Sequence, residues 1–467
     1  TFDASGDSIF LFDESAMFDE SAIDLVSFAI ENRSIASINQ ALSTYIGESR
    51  ELAEFASAVC RDLHCFRPSA FIILKKALSQ LSRRLSTCIS KGVLTMAMIG
   101  DSIGVGCCDS RGGFGAGILA GLQNLLGVDV ECKLRNRSRG ATEPEYFYYC
   151  DFPDGDEDVV VLEFVPHAGN NFILYLEGLV RKMSLLPNKP TLILVATSPP
   201  GHLTKPTMVE STSYYRAIAT RYSIIFLDLT VAIIHGLKPC SQKSFVNISF
   251  YGDKIHPNEY GHLYASCQIL AIFESALKFL PVDDVNKGLP KAVEPVIAEV
   301  KTLGYTACYS VIEEDKSRWP LVIDINNFQI VQRRQAGSTF IHKRCWQGNY
   351  AWDYITFFLP PFVSLKVSVY MGPSDDFGIT EVRAGNEIIS ILDTKRKPSD
   401  NPLLEAHRGY IKEFHLLKRN ASIIYDQGSV SFTTQTNSNI SESDGPHLQI
   451  IQIIALLVET SVLYKYD

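Results

Sequence analysis

The sequence lacks any concentrated excess of positive charge. Lys and Arg number 43 against 52 Asp and Glu, which gives a formal net charge of -9 and a pI near 5.6. Binding to a nucleic-acid backbone depends on clustered Lys and Arg that neutralise phosphates, and no segment carries such a cluster. The composition therefore argues against a nucleic-acid partner.

An uninterrupted apolar run long enough to cross a membrane is also missing. The longest apolar stretch, Leu448 to Leu463, is broken by Gln449, Gln452 and Glu459. It falls short of the ~20 residues that a membrane helix requires. We expect a buried strand or helix there, and no integral membrane span.

Cysteines at C-x-x-C spacing are absent, although the chain has 11 cysteines. We therefore predict no metal and no cofactor. Disulfides such as Cys60 to Cys65, or one involving Cys150, are expected in an oxidising compartment, with buried free thiols as the alternative. The chain does not begin with Met and opens on no signal-peptide pattern, which is compatible with a targeting segment upstream of residue 1. Secretion or an endomembrane lumen is the expected location, in agreement with N-x-[ST] tripeptides that begin at Asn32, Asn136, Asn247, Asn420 and Asn439.

The chain is longer than one hydrophobic core usually supports, and its pattern changes twice. Residues 1–88 show apolar residues at helical spacing with almost no Gly or Pro, which predicts an N-terminal helical region. Residues 89–282 contain five short apolar runs, each followed by polar or Gly-rich sequence and then a helical pattern. These runs predict five parallel strands in a three-layer α/β/α sandwich. They are Val93 to Ile99, Val128 to Leu134, Val159 to Phe164, Thr191 to Ala196 and Ile224 to Leu229.

Residues 283–467 begin with a proline-containing linker and continue with strict alternation of apolar and polar residues, as in Val363 to Val369. Alternation with a period of two is typical of half-buried strands, so we predict a C-terminal antiparallel β-sandwich as an accessory domain. Trp319, Trp346, Trp352 and Tyr354 in this region are expected in its core, with a sugar-stacking platform as the alternative.

The tetrapeptide Gly-Asp-Ser-Ile occurs twice, at Ser8 and at Ser102. Ser8 has too few residues before it for a buried strand. Ser102 closes the apolar run from Val93 and is followed by a Gly-rich turn and a helical pattern. Ligands of open α/β sheets bind at the carboxyl ends of the strands, so Ser102 is the candidate nucleophile.

A base for this serine is offered by the segment Asp253-Lys254-Ile255-His256-Pro257 after the fifth predicted strand. A carboxylate three residues before a histidine can hold one imidazole nitrogen while the other faces a serine hydroxyl. Alone, the segment also fits a helix-entry turn with a capping Asp253. Its combination with Ser102 is the stronger signal.

Residues 90–280 resemble the SGNH, or GDSL, hydrolase family, and most closely its eukaryotic algal, plant and fungal branch. The resemblance lies in Gly100-Asp101-Ser102, in Gly140 within residues 136–142, and in the segment that ends at His256. It implies a flavodoxin-like sheet and a serine esterase. By this resemblance Ser102 is the nucleophile, His256 the general base and then acid, and Asp253 the group that orients His256. The backbone N–H groups of Ser102 and Gly140 are implied for the oxyanion hole.

The third family block departs from the pattern. Where family members carry an Asn, this chain has His167, and Asn170 follows three residues later. Either His167 or a displaced Asn170 is the third oxyanion donor, and if neither serves, the hole loses one donor.

The sequence predicts an esterase that removes O-acyl groups, with an O-acetylated carbohydrate as the preferred substrate and small-molecule or lipid esters left open. The carbohydrate is inferred by analogy with other β-domain esterases. The alternatives are an O-acyltransferase on glycans and a catalytically impaired binding module with the same fold.

Overall fold

The computed structural model describes two compact units of the chain, taken here one at a time. Unit one comprises Thr1–Ser138 and Pro153–Ala298, and unit two comprises Arg139–Phe152 and Glu299–Asp467. The structure describes residues 42–61, 71–106, 109–139, 142–150, 153–165, 170–197, 206–229, 250–252, 256–279, 306–310, 321–334, 342–348, 352–359, 362–371, 379–393, 410–418, 429–435 and 448–457.

The central sheet of unit one has strand order β1-β6-β5-β4-β2-β3. The pairs from β2 to β6 are all parallel, and their order is that of flavodoxin-like sheets. The predicted five-stranded parallel sheet is confirmed. The antiparallel edge strand β1 was not predicted, because two residues are too short for a periodic signal. The strands are β1 Phe71–Ile72, β2 Val93–Gly100, β3 Glu131–Asn136, β4 Val159–Phe164, β5 Thr191–Ala196 and β6 Ile225–Asp228.

Helices connect these strands and cover both faces of the sheet. Within the described residues, no helix combines the length and apolar character that a membrane crossing requires. The helices are α1 Arg50–Arg61, α2 Lys75–Lys91, α3 Ser102–Val105, α4 Gly113–Leu126, α5 Pro144–Tyr149, which belongs to unit two, α6 Asn170–Ser184, α7 Pro206–Tyr222 and α8 Glu259–Lys278.

Both faces of the sheet are buried, which explains why β4 and β5 read as continuous apolar runs. On one face, strand residues such as Met98 and Val161 share a core with α2, α4 and α8. On the other face, Phe172 packs edge-on against Phe164 at 6.2 Å and stacks with Tyr215 at 6.3 Å. The result is the predicted three-layer α/β/α sandwich.

The described segments that precede β2 belong to the same core. Leu42, Phe55 and Leu78 are all at most 1% exposed and pack within the cluster that contains Met98. The described part of the N-terminal region therefore contributes apolar burial to unit one.

Unit two contains two antiparallel sheets, and the predicted β-sandwich is confirmed. One sheet has the order β15-β12-β17-β10-β9 with β7 paired to β17, and the other has the order β14-β13-β16-β11-β8. Trp346 and Phe357, one from each sheet, meet edge-on at 5.0 Å between the ring centroids in the core. The strands are β7 Thr306–Ser310, β8 Leu321–Asn326, β9 Gln329–Arg334, β10 His342–Gly348, β11 Tyr354–Phe358, β12 Phe362–Met371, β13 Ile379–Ala384, β14 Glu387–Asp393, β15 Tyr410–Lys418, β16 Ser429–Gln435 and β17 Leu448–Leu457.

The expected core position can be checked for the two tryptophans of this region that the structure describes, since Trp319 lies outside the described residues. Trp346 is a core residue with 2% exposure, as expected, whereas Trp352 is 62% exposed. The expectation of a core position for Trp352 was therefore wrong, because Trp352 lies in the turn before β11, outside the buried alternation of the strand.

Cysteines occur in both oxidation states. Cys150 is disulfide-bonded, whereas Cys88, Cys132 and Cys267 are reduced thiols. Burial raises the pKa of Cys88 to about 12, so this thiol is an unreactive core group.

Candidate active site

Ser102 lies directly beyond the central strand of the sheet. Strand β2 ends at Gly100, and Ser102 is the first residue of α3. The side chain of Asp101 caps α3 by accepting the N–H of Ile103 at 2.9 Å. Because β2 lies between β3 and β4, Ser102 stands at the carboxyl edge where the strand order reverses, which is the usual ligand position in such sheets.

The backbone on both sides of His256 is held by hydrogen bonds. Gly252 N–H donates to the carbonyl of His256 at 2.9 Å, and Asn258 N–H donates to the carbonyl of Phe250 at 2.9 Å. The side chain of Asn258 then caps α8, accepting the N–H groups of Tyr260 at 3.0 Å and of the next residue at 3.2 Å. These bonds place the imidazole at a defined position before α8.

The two predicted residues meet. Ser102 Oγ and His256 Nε2 are 2.9 Å apart, and both side chains are half-buried. An imidazole nitrogen at hydrogen-bond distance from a serine hydroxyl can take the proton of that hydroxyl during nucleophilic attack. The pair is therefore competent for nucleophilic chemistry at a position that solvent reaches.

Two carboxyl groups contact the backbone of the turn that carries Ser102. Glu163, at the end of β4, is fully buried, and its Oε2 accepts the N–H of Gly104 at 2.7 Å. Its Oε1 accepts the hydroxyl of Thr197. Asp101 Oδ2 accepts the N–H of Val165 at 3.3 Å. The turn that carries Ser102 is thereby tied to β4 and to the end of β5.

The pKa values of these carboxyls differ from their usual values. Burial is the main cause that raises the pKa of Glu163 well above its usual range, and the negative charge of Asp101 raises it further. Burial also raises the pKa of Asp101, while the N–H groups of Ile103 and Val165 and the charge of His256 act in the opposite direction.

A second buried network supports the loop that follows Ser102. Tyr45 donates its hydroxyl to the buried carboxylate of Asp109, and the backbone N–H of Arg111 donates to the same group at 2.9 Å. The Arg111 guanidinium lies 3.1 Å from Glu259 in the first turn of α8. The N-terminal helical segment is therefore connected to the elements that follow Ser102 and His256.

His262 has a structural role. Its Nδ1 accepts the N–H of Phe114 at 3.2 Å, its ring stacks on Phe114 at 6.0 Å, and the residue is fully buried. It joins α8 to α4.

One acidic group of the described residues has metal-ligand spacing, namely Asp154, Asp156 and Glu157. Arg135 forms ion pairs with all three carboxylates, and Arg137 pairs with Asp154. A hydrogen bond from Arg135 lowers the pKa of Asp156. The arginines account for this cluster as an ion-pair network in which Glu157 is buried.

The structure does not describe the functional groups of four predicted site residues. Asp253, Gly140 and His167 lie outside the described residues, and Asn170 begins α6 with a side chain that is likewise outside them. Their roles stay predictions. Conversely, sequence reasoning assigned no role to Glu163, although a carboxyl inside the six-residue apolar run of β4 is a recognisable signal, because buried carboxyls are rare without a partner.

A three-layer α/β sandwich with a Ser–His pair at its carboxyl edge, joined in one chain to an antiparallel β-sandwich, defines a two-domain α/β-plus-β architecture. This architecture is similar to the solved structure of a two-domain esterase (CEX) active on acetylated mannans, with a TM-score of 0.58 and 16% identity over 80% of this chain and 95% of that chain. The structure of such an esterase co-crystallised with mannopentaose aligns with a TM-score of 0.55 and 16% identity over 81% of this chain and 95% of that one. At this identity the likeness shows a shared fold. No protein-family model and no curated protein sequence matches the chain.

The cap of α8 gives a first prediction. Asn258→Ala removes the acceptor for two N–H groups next to His256, so the free energy of unfolding should fall by about 1 kcal/mol. Asn258→Asp is the matched control, because aspartate caps helices as well as asparagine does, and it should stay within about 0.5 kcal/mol of the wild type. Urea unfolding of the three proteins measures both values. Equal losses in the two variants would contradict the capping role.

Proposed function

We propose that this protein is a serine esterase of the SGNH type that hydrolyses O-acyl esters. The observation that carries the proposal is the 2.9 Å hydrogen bond between Ser102 Oγ and His256 Nε2 at the carboxyl edge of the sheet. The sequence resemblance to the eukaryotic branch of that family and the fold shared with a two-domain esterase agree with it. Fold alone does not define chemistry, so the pair is the stronger support.

The reaction follows from the pair. Ser102 Oγ attacks the ester carbonyl while His256 Nε2 takes the hydroxyl proton, and the carbonyl oxygen becomes an oxyanion. Collapse of this intermediate breaks the bond to the alcohol, which leaves with the proton from His256. A water molecule, deprotonated by His256, then attacks the acyl-enzyme, and the acid is released as Ser102 regains its proton.

The remaining roles are carried over from the family resemblance. Asp253 is proposed to orient His256, and the N–H groups of Ser102 and Gly140 are proposed to bind the oxyanion. The carboxyls of Asp101 and Glu163 take the N–H groups of Ile103 and Gly104. They do not engage the N–H of Ser102, which agrees with its proposed role toward a substrate oxygen.

The proposed substrate is an O-acetylated carbohydrate. The similar two-domain esterase acts on acetylated mannans, and the half-buried position of Ser102 is compatible with a large alcohol component. An O-acyltransferase uses the same acyl-enzyme with a sugar hydroxyl in place of water, so it is the second candidate. The disulfide at Cys150 supports secretion or an endomembrane lumen as the location, since disulfides persist in oxidising compartments.

A fluorophosphonate probe tests the nucleophile directly. Wild type should be labelled, and Ser102→Ala should not. Ser8→Ala, which removes the serine of the other Gly-Asp-Ser-Ile copy, is the matched control and should be labelled at the wild-type rate. His256→Ala should slow labelling at least about 10³-fold, because the hydroxyl loses its base. Labelling of Ser102→Ala at the wild-type rate would exclude the proposed nucleophile.

Acetate release separates the substrate classes. Acetylated mannan should release acetate faster than p-nitrophenyl esters of long acyl chains, and Ser102→Ala should release none. Addition of an unacetylated oligosaccharide acceptor distinguishes the two candidate reactions, since a transferase forms acetylated acceptor and a hydrolase forms free acetate. Preference for long acyl chains would contradict the carbohydrate assignment.

The third oxyanion donor can be identified by substitution. If His167 serves, His167→Ala should lower kcat by about 10²- to 10³-fold while Asn170→Ala stays near wild type, and the reverse holds if Asn170 serves. Both variants are read by kcat on p-nitrophenyl acetate together with urea unfolding, which reports any loss of fold. Wild-type kcat in both variants would show that neither residue is the donor.

A further inference from the structure

The carboxyl of Glu163 is built into the turn that carries the nucleophile. Its Oε2 lies 2.7 Å from the N–H of Gly104, two residues after Ser102. The backbone carbonyl of Glu163 accepts the N–H of Asp101 at 3.3 Å, one residue before Ser102. One residue of β4 therefore contacts the backbone on both sides of the serine.

The close approach depends on two glycines. A Cβ on Gly100 would lie 2.2 Å from the Glu163 carbonyl oxygen and 2.8 Å from Oε2. A Cβ on Gly104 would lie 3.0 Å from the same Oε2 and 2.5 Å from Ser138 Oγ. Any larger residue at either position would push the Glu163 carboxyl away from the turn.

Glu163 is fully buried, and the hydrogen bonds to its carboxyl come from neutral donors, namely the Thr197 hydroxyl and the N–H of Gly104. A charge without a cationic partner is costly at such a position, and the negative charge of Asp101 adds to that cost. These surroundings favour the neutral form of Glu163.

Asp101 is the charged group that acts on Glu163. Its carboxyl accepts the N–H groups of Ile103 and Val165 and experiences the charge of His256, and these three interactions favour its ionised form against the effect of burial.

We infer that Glu163 is a positioning residue for the proposed esterase: as a neutral acid it accepts the N–H of Gly104 through its carboxyl and the N–H of Asp101 through its backbone carbonyl, and so it fixes the Ser102 turn. The inference rests on the proposed function for its effect on turnover, but the neutral carboxyl is a property of the fold.

The test compares Glu163→Gln with Glu163→Leu. Glutamine keeps a neutral group that can accept from Gly104, so kcat should stay within about tenfold of wild type. Leucine leaves the N–H of Gly104 without its acceptor, so kcat should fall by about 10²-fold with KM little changed. Val161→Ala, a cavity on the same strand, controls for general damage and should lower stability with little change in kcat.

The pH dependence of stability tests whether Glu163 is protonated, and it needs no activity measurement. A buried acid with a raised pKa binds its proton in the folded chain and loses it in the unfolded chain above the ordinary pKa of glutamate, about 4.3. Its contribution to stability is therefore complete below that pH and falls as pH rises. Between pH 5 and 8, the unfolding constant of wild type relative to Glu163→Gln should increase by up to tenfold per pH unit, and Val161→Ala should keep the wild-type slope.

The outcomes are distinct. A ratio of unfolding constants that does not change with pH shows that Glu163 is ionised, and overturns the inference. Equal kcat losses in the glutamine and leucine variants also overturn it, because the neutral hydrogen bond then does not matter. If wild type itself is not labelled by a fluorophosphonate, the proposed function fails. The pH dependence of stability then still decides whether Glu163 holds a proton.

Discussion

The hydrogen bond between Ser102 and His256 joins residues that are 154 positions apart in the chain. No local interaction can bring them together, so the parallel sheet must do so. Strand β2 delivers the serine to its carboxyl edge, and a loop closed by backbone bonds on both sides delivers the imidazole to the same edge. The apolar burial of the three layers supplies the free energy that keeps these ends in place.

Several polar groups besides Ser102 and His256 hold the backbone of the site in place. Glu163 and Asp101 engage the backbone of the serine turn, and Tyr45, Asp109 and Arg111 connect the following loop to α8. Buried polar groups are costly unless every one has a partner. A network of this kind therefore strongly disfavours alternative positions of the turn, which agrees with a requirement for a serine hydroxyl in a defined place.

The β-sandwich of unit two follows from a different pattern. In β11, β13 and β16 buried residues alternate with partly exposed ones, and in β16 Val430, Phe432 and Thr434 are fully buried. Such alternation requires one covered face and one open face, whereas β4 and β5 of unit one are covered on both faces and have no polar alternation. The chain thus contains a parallel sheet that is covered on both faces and two antiparallel sheets. A two-domain esterase has a similar architecture.

The sequence by itself determined the five parallel strands and the sandwich that follows them, because hydrophobic period and turn residues are local properties. It also indicated that Ser102 and His256 form a pair. Tertiary structure alone decided the position of Glu163 and the short strand β1, since a buried carboxyl in an apolar run and a two-residue strand have no periodic signature. Which groups contact that carboxyl depends on distances between residues far apart in the chain, and only the folded sheet establishes those distances.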